Sequence, residues 1–216
     1  MLVGGRALGA VGRSATRADA YGTVGGEGAE PADTIRAMGD LDPWQPLSAV
    51  EAERVFRELP AMWWVAGGLA IDAFPRYESR THGDLDVAVL RRDQAMVQRY
   101  LADWELYAAV GNGKLEPWQP DYELPPAVHD LWCRRTGSAP WSMQLMLVDA
   151  EADQWRFRRD NRVHRPLAHL TGQIDGIPYL AVEVQLLYKA RDHALAKNDA
   201  DFRSCSLNSA WSREAG

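Results

Sequence analysis

The stretch that most constrains the fold runs from Met62-Trp63-Trp64-Val65-Ala66 into Gly67-Gly68, and continues after a polar link into Asp84-Leu85-Asp86-Val87-Ala88-Val89. A short apolar run closed by two glycines reads as a buried strand leading into a tight turn. Leu69 to Phe74 then reads as a brief helix stopped by Pro75. Leu85, Val87 and Val89 alternate with Asp84, Asp86 and Ala88, the period of a strand with one face toward the core. Asp84 and Asp86 therefore share the other face. Carboxylates at i and i+2 on a strand have Cα atoms about 6.5 to 7 Å apart, close enough to share a hard cation. Magnesium suits that arrangement, because it prefers oxygen and binds through one or two carboxylates plus substrate phosphates. The competing reading of an isolated Asp-x-Asp is an exposed strand face with two solvated acids.

The surroundings favour the first reading. Gly67-Gly68, sixteen residues before Asp84, lets backbone amides approach an anion closely, and a helix start beside it adds partial positive charge. Arg80-Thr81-His82-Gly83 leads directly into the acidic pair, so a cation, a hydroxyl and an imidazole can stand beside one triphosphate. Asp72 is expected to pair with Arg80 and brace the loop.

The rest of the chain supplies a frame for these residues. Residues 1 to 41 are rich in Gly and Ala, show no sustained period, and read as a disordered segment or an overextended start to the reading frame. Ser48 and Glu51 have capping-box spacing, and Ala52, Val55, Phe56 and Leu59 fall on one helical face that Pro60 closes. Residues 92 to 102 are expected to be helical and 104 to 110 a strand, with 111 to 126 a loop over a pocket. Residues 141 to 148 and 154 to 157 are read as the two strands of a hairpin about the acidic turn 149 to 153. A last helix is predicted from Val182 to about Ala196, with Val184, Leu187, Ala190 and Ala194 as its apolar stripe and Gln185, Lys189 and Asp192 as its polar one. Residues 204 to 216 show no strong period.

Composition removes several classes of function. Of 216 residues, 46% are apolar, enough for one sizeable core. Thirty acidic against twenty-four basic side chains leave a formal charge of -6, which argues against a nucleic-acid binder and favours a small-molecule partner. No apolar run approaches the roughly 18 to 20 residues of a membrane span, and the first ten residues lack the core of a secretory signal. Two cysteines, Cys133 and Cys205, support neither a disulfide framework nor a four-ligand zinc site, so reduced thiols in a cytoplasm are expected. The nine tryptophans are read as core and pocket walls, with Trp118, Trp132 and Tyr122 as candidates for an acceptor pocket.

The stretch Trp63 to Val89, WWVAGGLAIDAFPRYESRTHGDLDVAV, resembles the nucleotidyltransferase superfamily, in particular its aminoglycoside and lincosamide adenylyltransferase branch. It is similar to that branch in its strand, Gly-Gly-x-Ala-x-Asp helix start, Thr-Arg-like loop and Asp-x-Asp strand, in that order. A weaker similarity continues through Trp155 to Asp160 and Glu183 to Lys189, so that it covers about residues 45 to 203. The resemblance implies an α/β (α+β) fold, a mixed sheet flanked by helices over residues 42 to 180, with a short helical C-terminal portion over 181 to 216. It also implies Mg2+ held by Asp84 and Asp86, and transfer of a nucleotidyl group, commonly adenylyl from ATP, to a hydroxyl of a small acceptor such as an aminoglycoside or lincosamide. Gly67 and Gly68 would contact phosphate, Arg80 and His82 would stand beside it, and Lys189 can reach triphosphate or substrate unless it only pairs with Asp192.

The sequence departs from the branch at one place. The strand expected to bring a third carboxylate presents Gln144, whose amide cannot act as a general base. Asp130, then Asp149, then Glu123 are the residues that can replace it, although an Asp just before Leu131-Trp132 more often turns the backbone. Two other outcomes stay open: a relative that binds nucleotide without turnover, and a toxin-type transferase acting on a macromolecule. The basic segment Arg156, Arg158, Arg159, Arg162, His164 and Arg165 can clamp phosphate or form a solvated face balancing the acidic turn.

Overall fold

The computed structural model describes residues 36–37, 43–74, 81–135, 139–190 and 201. In chain order the elements are β1 (Arg36–Ala37), α1 (Ala49–Phe56), β2 (Trp63–Val65), α2 (Gly67–Ala73), β3 (Asp86–Leu90), α3 (Gln94–Tyr100), β4 (Glu105–Gly111), β5 (Lys114–Pro117), β6 (Asp130–Arg134) and β7 (Met143–Val148). β8 (Ala150–Glu151), β9 (Gln154–Arg156), β10 (His164–Pro166), β11 (Thr171–Ile174), β12 (Ile177–Leu180) and α4 (Val182–Lys189) follow. Nine strands form one mixed sheet in the order β1-β5-β4-β6-β7-β3-β2-β12-β11, and β10-β9-β8 form a second, small one. This is the mixed α+β architecture expected from the sequence, with helices flanking the sheet. The expectations for residues 1–35, 38–42, Arg80, Asp192, Cys205 and the C-terminal tail lie outside the described residues.

β3 is the strand on which the site depends, and it sits in the middle of the large sheet. It pairs antiparallel with β2, Trp64 opposite Ala88, and parallel with β7, Asp86 opposite Gln144 and Ala88 opposite Met146. Both faces of β3 are covered, so all five of its residues are buried. The one-sided strand expected from the alternation is thus a two-sided one, because Ala88 and Leu90 pack as well as Val87 and Val89. The strand also begins at Asp86, with Asp84 in the irregular segment just before it.

Directly opposed residues share a face, which divides the sheet into two sides. One side carries Trp63, Val65, Val87, Val89, Leu145, Leu131 and Cys133. α1 closes it: Phe56 stacks on Trp63 with ring centroids 5.4 Å apart, and the Tyr100 hydroxyl of α3 donates to Val55 O at 2.7 Å. α1 starts where the sequence says it should. Glu51 N donates to Ser48 Oγ while Ser48 N donates to Glu51 Oε2, a reciprocal cap. The capping contact also holds the exposed Glu51 carboxyl below the usual carboxylate range. The other side carries Trp64, Asp86, Ala88, Gln144, Met146, Asp130 and Trp132. Asp86, Gln144 and Asp130 all lie on this second side.

Several sequence expectations need correction. Residues 111 to 126 are no simple loop: Asn112, at φ 51°, turns the chain into β5, which pairs back on β4. The remainder of that loop is tied to α3, where Leu124 N donates to Gln94 Oε1 and Asp121 N to Gln98 Oε1. β6, expected as a turn at Asp130, is a central strand between β4 and β7. The acidic segment after β7 does not join it to β9. β8 intervenes, and β9 pairs with β8 and β10 in the small sheet. The hairpin of β11 and β12, turned at Asp175-Gly176, is an additional feature, and α4 is described to Lys189 only.

Candidate active site

The site forms where β2 turns into α2 against the start of β3. Ala66 N donates to Asp86 O at 2.8 Å, so the ladder between these strands runs to the first residue before the glycines. Gly67 then takes φ +68°, a left-handed conformation that favours glycine. A Cβ at that position would stand 2.0 Å from Asp86 Oδ2. The missing side chain is what leaves room for the Asp86 carboxylate, so the glycine and the acid are one structural unit. The Gly67 amide is occupied inside the protein: it donates to Gln185 Oε1 of α4 at 2.8 Å, both groups being buried. Gln185, read from sequence only as part of a polar stripe, is therefore joined to a loop 118 residues away.

α2 is braced against the segment that delivers Asp84. His82 Nε2 lies 2.6 Å from Asp72 Oδ2, with side chains only 5% and 6% exposed. His82 is thus engaged with Asp72, the residue expected to pair with Arg80. Asp84, half-buried, follows two residues later, and Asp86 is buried.

Gln144 occupies the register position opposite Asp86, and the carboxamide is not idle there. Its Nε2 donates to Asp130 Oδ1 at 2.9 Å, which turns a carboxylate from the next strand toward the Asp86 side of the sheet. Asp130 and Gln144 are both buried. The other two candidates for a third carboxylate are placed differently. Asp149 accepts from Arg91 Nε at 2.6 Å, and Glu123 is exposed on the loop over α3. Lys189 Nζ lies 2.6 Å from Asp201 Oδ2, a fully buried carboxylate.

Arg91, at the end of β3, also organises the approach to Asp130. Its guanidinium donates to Val128 O at 2.9 Å and to His129 Nδ1 at 2.9 Å, besides Asp149. An arginine can only donate, so Nδ1 must accept and His129 is neutral with its proton on Nε2. Burial, followed by the charges of Arg158 and Arg91, pushes its pKa down to about 4. Neighbouring His129, a cavity opens on the same face of the sheet, lined by Trp64, Ala66, Ala88, Met146, Gln185 and Arg158 among others.

The basic segment is mostly paired. Arg156 binds Glu151, Arg162 binds Asp160 and Arg165 binds Glu183, while Arg159 donates to Tyr188 O. Of the tryptophans, Trp64, Trp104, Trp118, Trp141 and Trp155 are buried, and Trp132 stands edge-on to Trp44 and Trp141. Cys133 is buried, and desolvation pushes its thiol far above the ordinary range, which leaves it inert. Among the described residues no group of three or more His, Cys, Asp or Glu side chains is arranged to hold a metal, and no helix is long and apolar enough to cross a membrane.

The donor set at Asp84 and Asp86 fits a hard divalent cation: two carboxylates from one chain segment, all oxygen, with a glycine in place of a side chain that would fill the approach. No curated protein sequence matches the chain. Among solved structures, it is similar to lincosamide antibiotic adenylyltransferase LnuA in its lincomycin-bound crystal structure, with a TM-score of 0.49 and 13% identity over 72% of this chain and 92% of that one. The solution structure of the antibiotic-resistance factor ANT(2'')-Ia matches at 0.43 and 14%, covering 75% of this chain and 82% of that one. The crystal structure of ANT(2'')-Ia in complex with adenylyl-2''-tobramycin matches at 0.42 and 12%, covering 75% and 90%. Residues 49–116 match the family model described as aminoglycoside-2''-adenylyltransferase, a segment that contains Gly67, Gly68, Asp84 and the whole of β3. The chain is thus similar to aminoglycoside-2''-adenylyltransferases over the segment that carries the glycine turn and β3.

Proposed function

We propose that this protein transfers a nucleotidyl group, adenylyl from ATP, to a hydroxyl of a small aminoglycoside- or lincosamide-like acceptor, with release of pyrophosphate. The observation that carries the proposal is the close packing of Gly67 against the Asp86 carboxylate, inside the segment that matches the adenylyltransferase family model. Asp84 and Asp86 are the residues to hold Mg2+. A magnesium ion held there would neutralise charge on the phosphates.

The chain's own residues supply the rest. Asp130 is the base toward the acceptor hydroxyl: it is ionisable, and one of its oxygens is fixed by the Gln144 amide. The Gln144 departure therefore relocates the third carboxylate to the adjacent strand and leaves the acid–base step with a residue able to perform it. Gly68 remains available to the phosphates by its place at the start of α2, whereas the Gly67 amide serves to anchor α4. His82 acts through Asp72 by holding the approach to Asp84 in place. Lys189, paired with Asp201, fixes the end of α4.

The test is incubation of the protein with magnesium, labelled ATP and a panel of aminoglycoside and lincosamide acceptors, followed by mass analysis of the acceptors. A mass increase of one adenylyl group is expected, lost on Asp86→Asn. If neither ATP nor GTP, CTP or UTP gives a modified acceptor, the transfer reading fails. Binding of magnesium-nucleotide without any product would favour the non-catalytic relative.

A further inference from the structure

Resting on that function, we infer that Arg158 is the cation that receives the negatively charged end of the triphosphate, and afterwards the pyrophosphate, on the cavity side of the site. A nucleoside triphosphate retains negative charge after a divalent ion has bound, so a positive group must face it from somewhere other than the two aspartates. The described cations around this face are almost all committed. His82 is engaged with Asp72, Arg91 with Asp149, Arg156 with Glu151, Arg165 with Glu183 and Lys189 with Asp201.

Arg158 differs. It has no carboxylate or hydrogen-bond partner among the described residues, and it stands over the Tyr188 ring, its guanidinium carbon 6.0 Å from the ring centroid. It is exposed, yet it lines the cavity together with Ala66, Ala88 and Gln185. Ala66 precedes Gly67, Ala88 lies two residues beyond Asp86, and Gln185 holds the Gly67 amide. The cavity thus joins Arg158 to the Gly67 and Asp86 unit across the face of the sheet. A guanidinium there offers planar, paired donors that match phosphate oxygens, on a long stem that can move from the tyrosine ring to an anion. Its field already reaches into the site, because its charge is the second cause, after burial, of the lowered pKa of His129.

Calorimetry with Mg-ATP and with Mg-pyrophosphate, on the full chain and on Arg158→Met and Arg158→Lys, tests the assignment. Both ligands should bind Arg158→Met about tenfold more weakly, the loss of one charge-assisted contact. Arg158→Lys should fall between, since it keeps the charge without the fork. Thermal melting of both variants should match the parent, because the side chain is exposed and its contact with the Tyr188 ring is a distant one. An NMR titration of His129 gives a readout that a merely structural role would not move: its pKa should rise in Arg158→Met, and in the parent on adding Mg-pyrophosphate. Equal affinity of parent and Arg158→Met for both ligands would overturn the assignment while leaving the transferase reading intact. A parent protein that binds neither ligand would overturn both.

Discussion

At the scale of single residues, Gly67 and Asp86 were legible because each carries its chemistry in its identity. Glycine is the residue that adopts a φ of +68° most readily, and only the absence of Cβ lets Asp86 stand where it does. Gly67→Ala should therefore cost about 1 to 3 kcal/mol of stability from backbone strain. It should also displace the carboxylate and lower transfer by about 100-fold, since misplacement on the order of 1 Å is enough for that. Urea unfolding and steady-state kinetics on one preparation check the two effects. His82 stood out in the sequence by its place just before the acidic pair, but its partner did not. His82→Ala leaves a buried Asp72 carboxylate without the imidazole, and a loss of about 1 to 3 kcal/mol by urea unfolding is expected. The Gln185 contact had no signal in the sequence at all. A glutamine in a polar stripe looks the same whether it faces water or a backbone amide 118 positions away.

Among the elements, strands with strong alternation or continuous apolar runs and the capped helix α1 were readable, and β6 was not. Asp130-Leu131-Trp132-Cys133-Arg134 begins and ends with charge, which suggests exposure. Its burial depends on long-range partners: Arg134, 1% exposed, lies 4.5 Å from the Trp141 ring centroid and binds Glu105, while Asp130 accepts from Gln144. β11 and β12 did carry a local signal, the Asp175-Gly176 turn, which apolar periodicity passes over.

The junction of β3, β6 and β7 also sets a pH response. His129 is held neutral, with its pKa depressed to about 4, so the unfolded chain binds more protons than the fold between that value and the ordinary imidazole range. Its contribution is complete above about pH 6.5 and is lost progressively as the pH falls toward 4. The unfolding midpoint in urea should decline over that window, and His129→Gln should flatten the decline. Arg91→Met should loosen the segment that leads into Asp130, lowering transfer while leaving α1 and the opposite face of the sheet unaffected.

For the whole molecule, the sheet separates structure from chemistry. One side packs on α1 through Phe56 and Trp63, and the other gathers Asp86, Gln144, Asp130, the cavity and α4. The net charge of -6 agrees with a small cationic or neutral acceptor rather than a polyanion. Helix α4 closes this side through Gln185 and Gly67, so α4 and the glycine turn are joined although they are distant in sequence. The central claim is that the Asp86 unit holds a metal-bound triphosphate for displacement, with Asp130 as the base. Pyrophosphate release from ATP, measured with and without magnesium in the presence of a modifiable acceptor, tests it directly by comparing the parent with Asp86→Asn and Asp130→Asn. The account predicts magnesium-dependent release by the parent, lowered at least about 100-fold by either substitution. Release that proceeds equally in Asp86→Asn would contradict it.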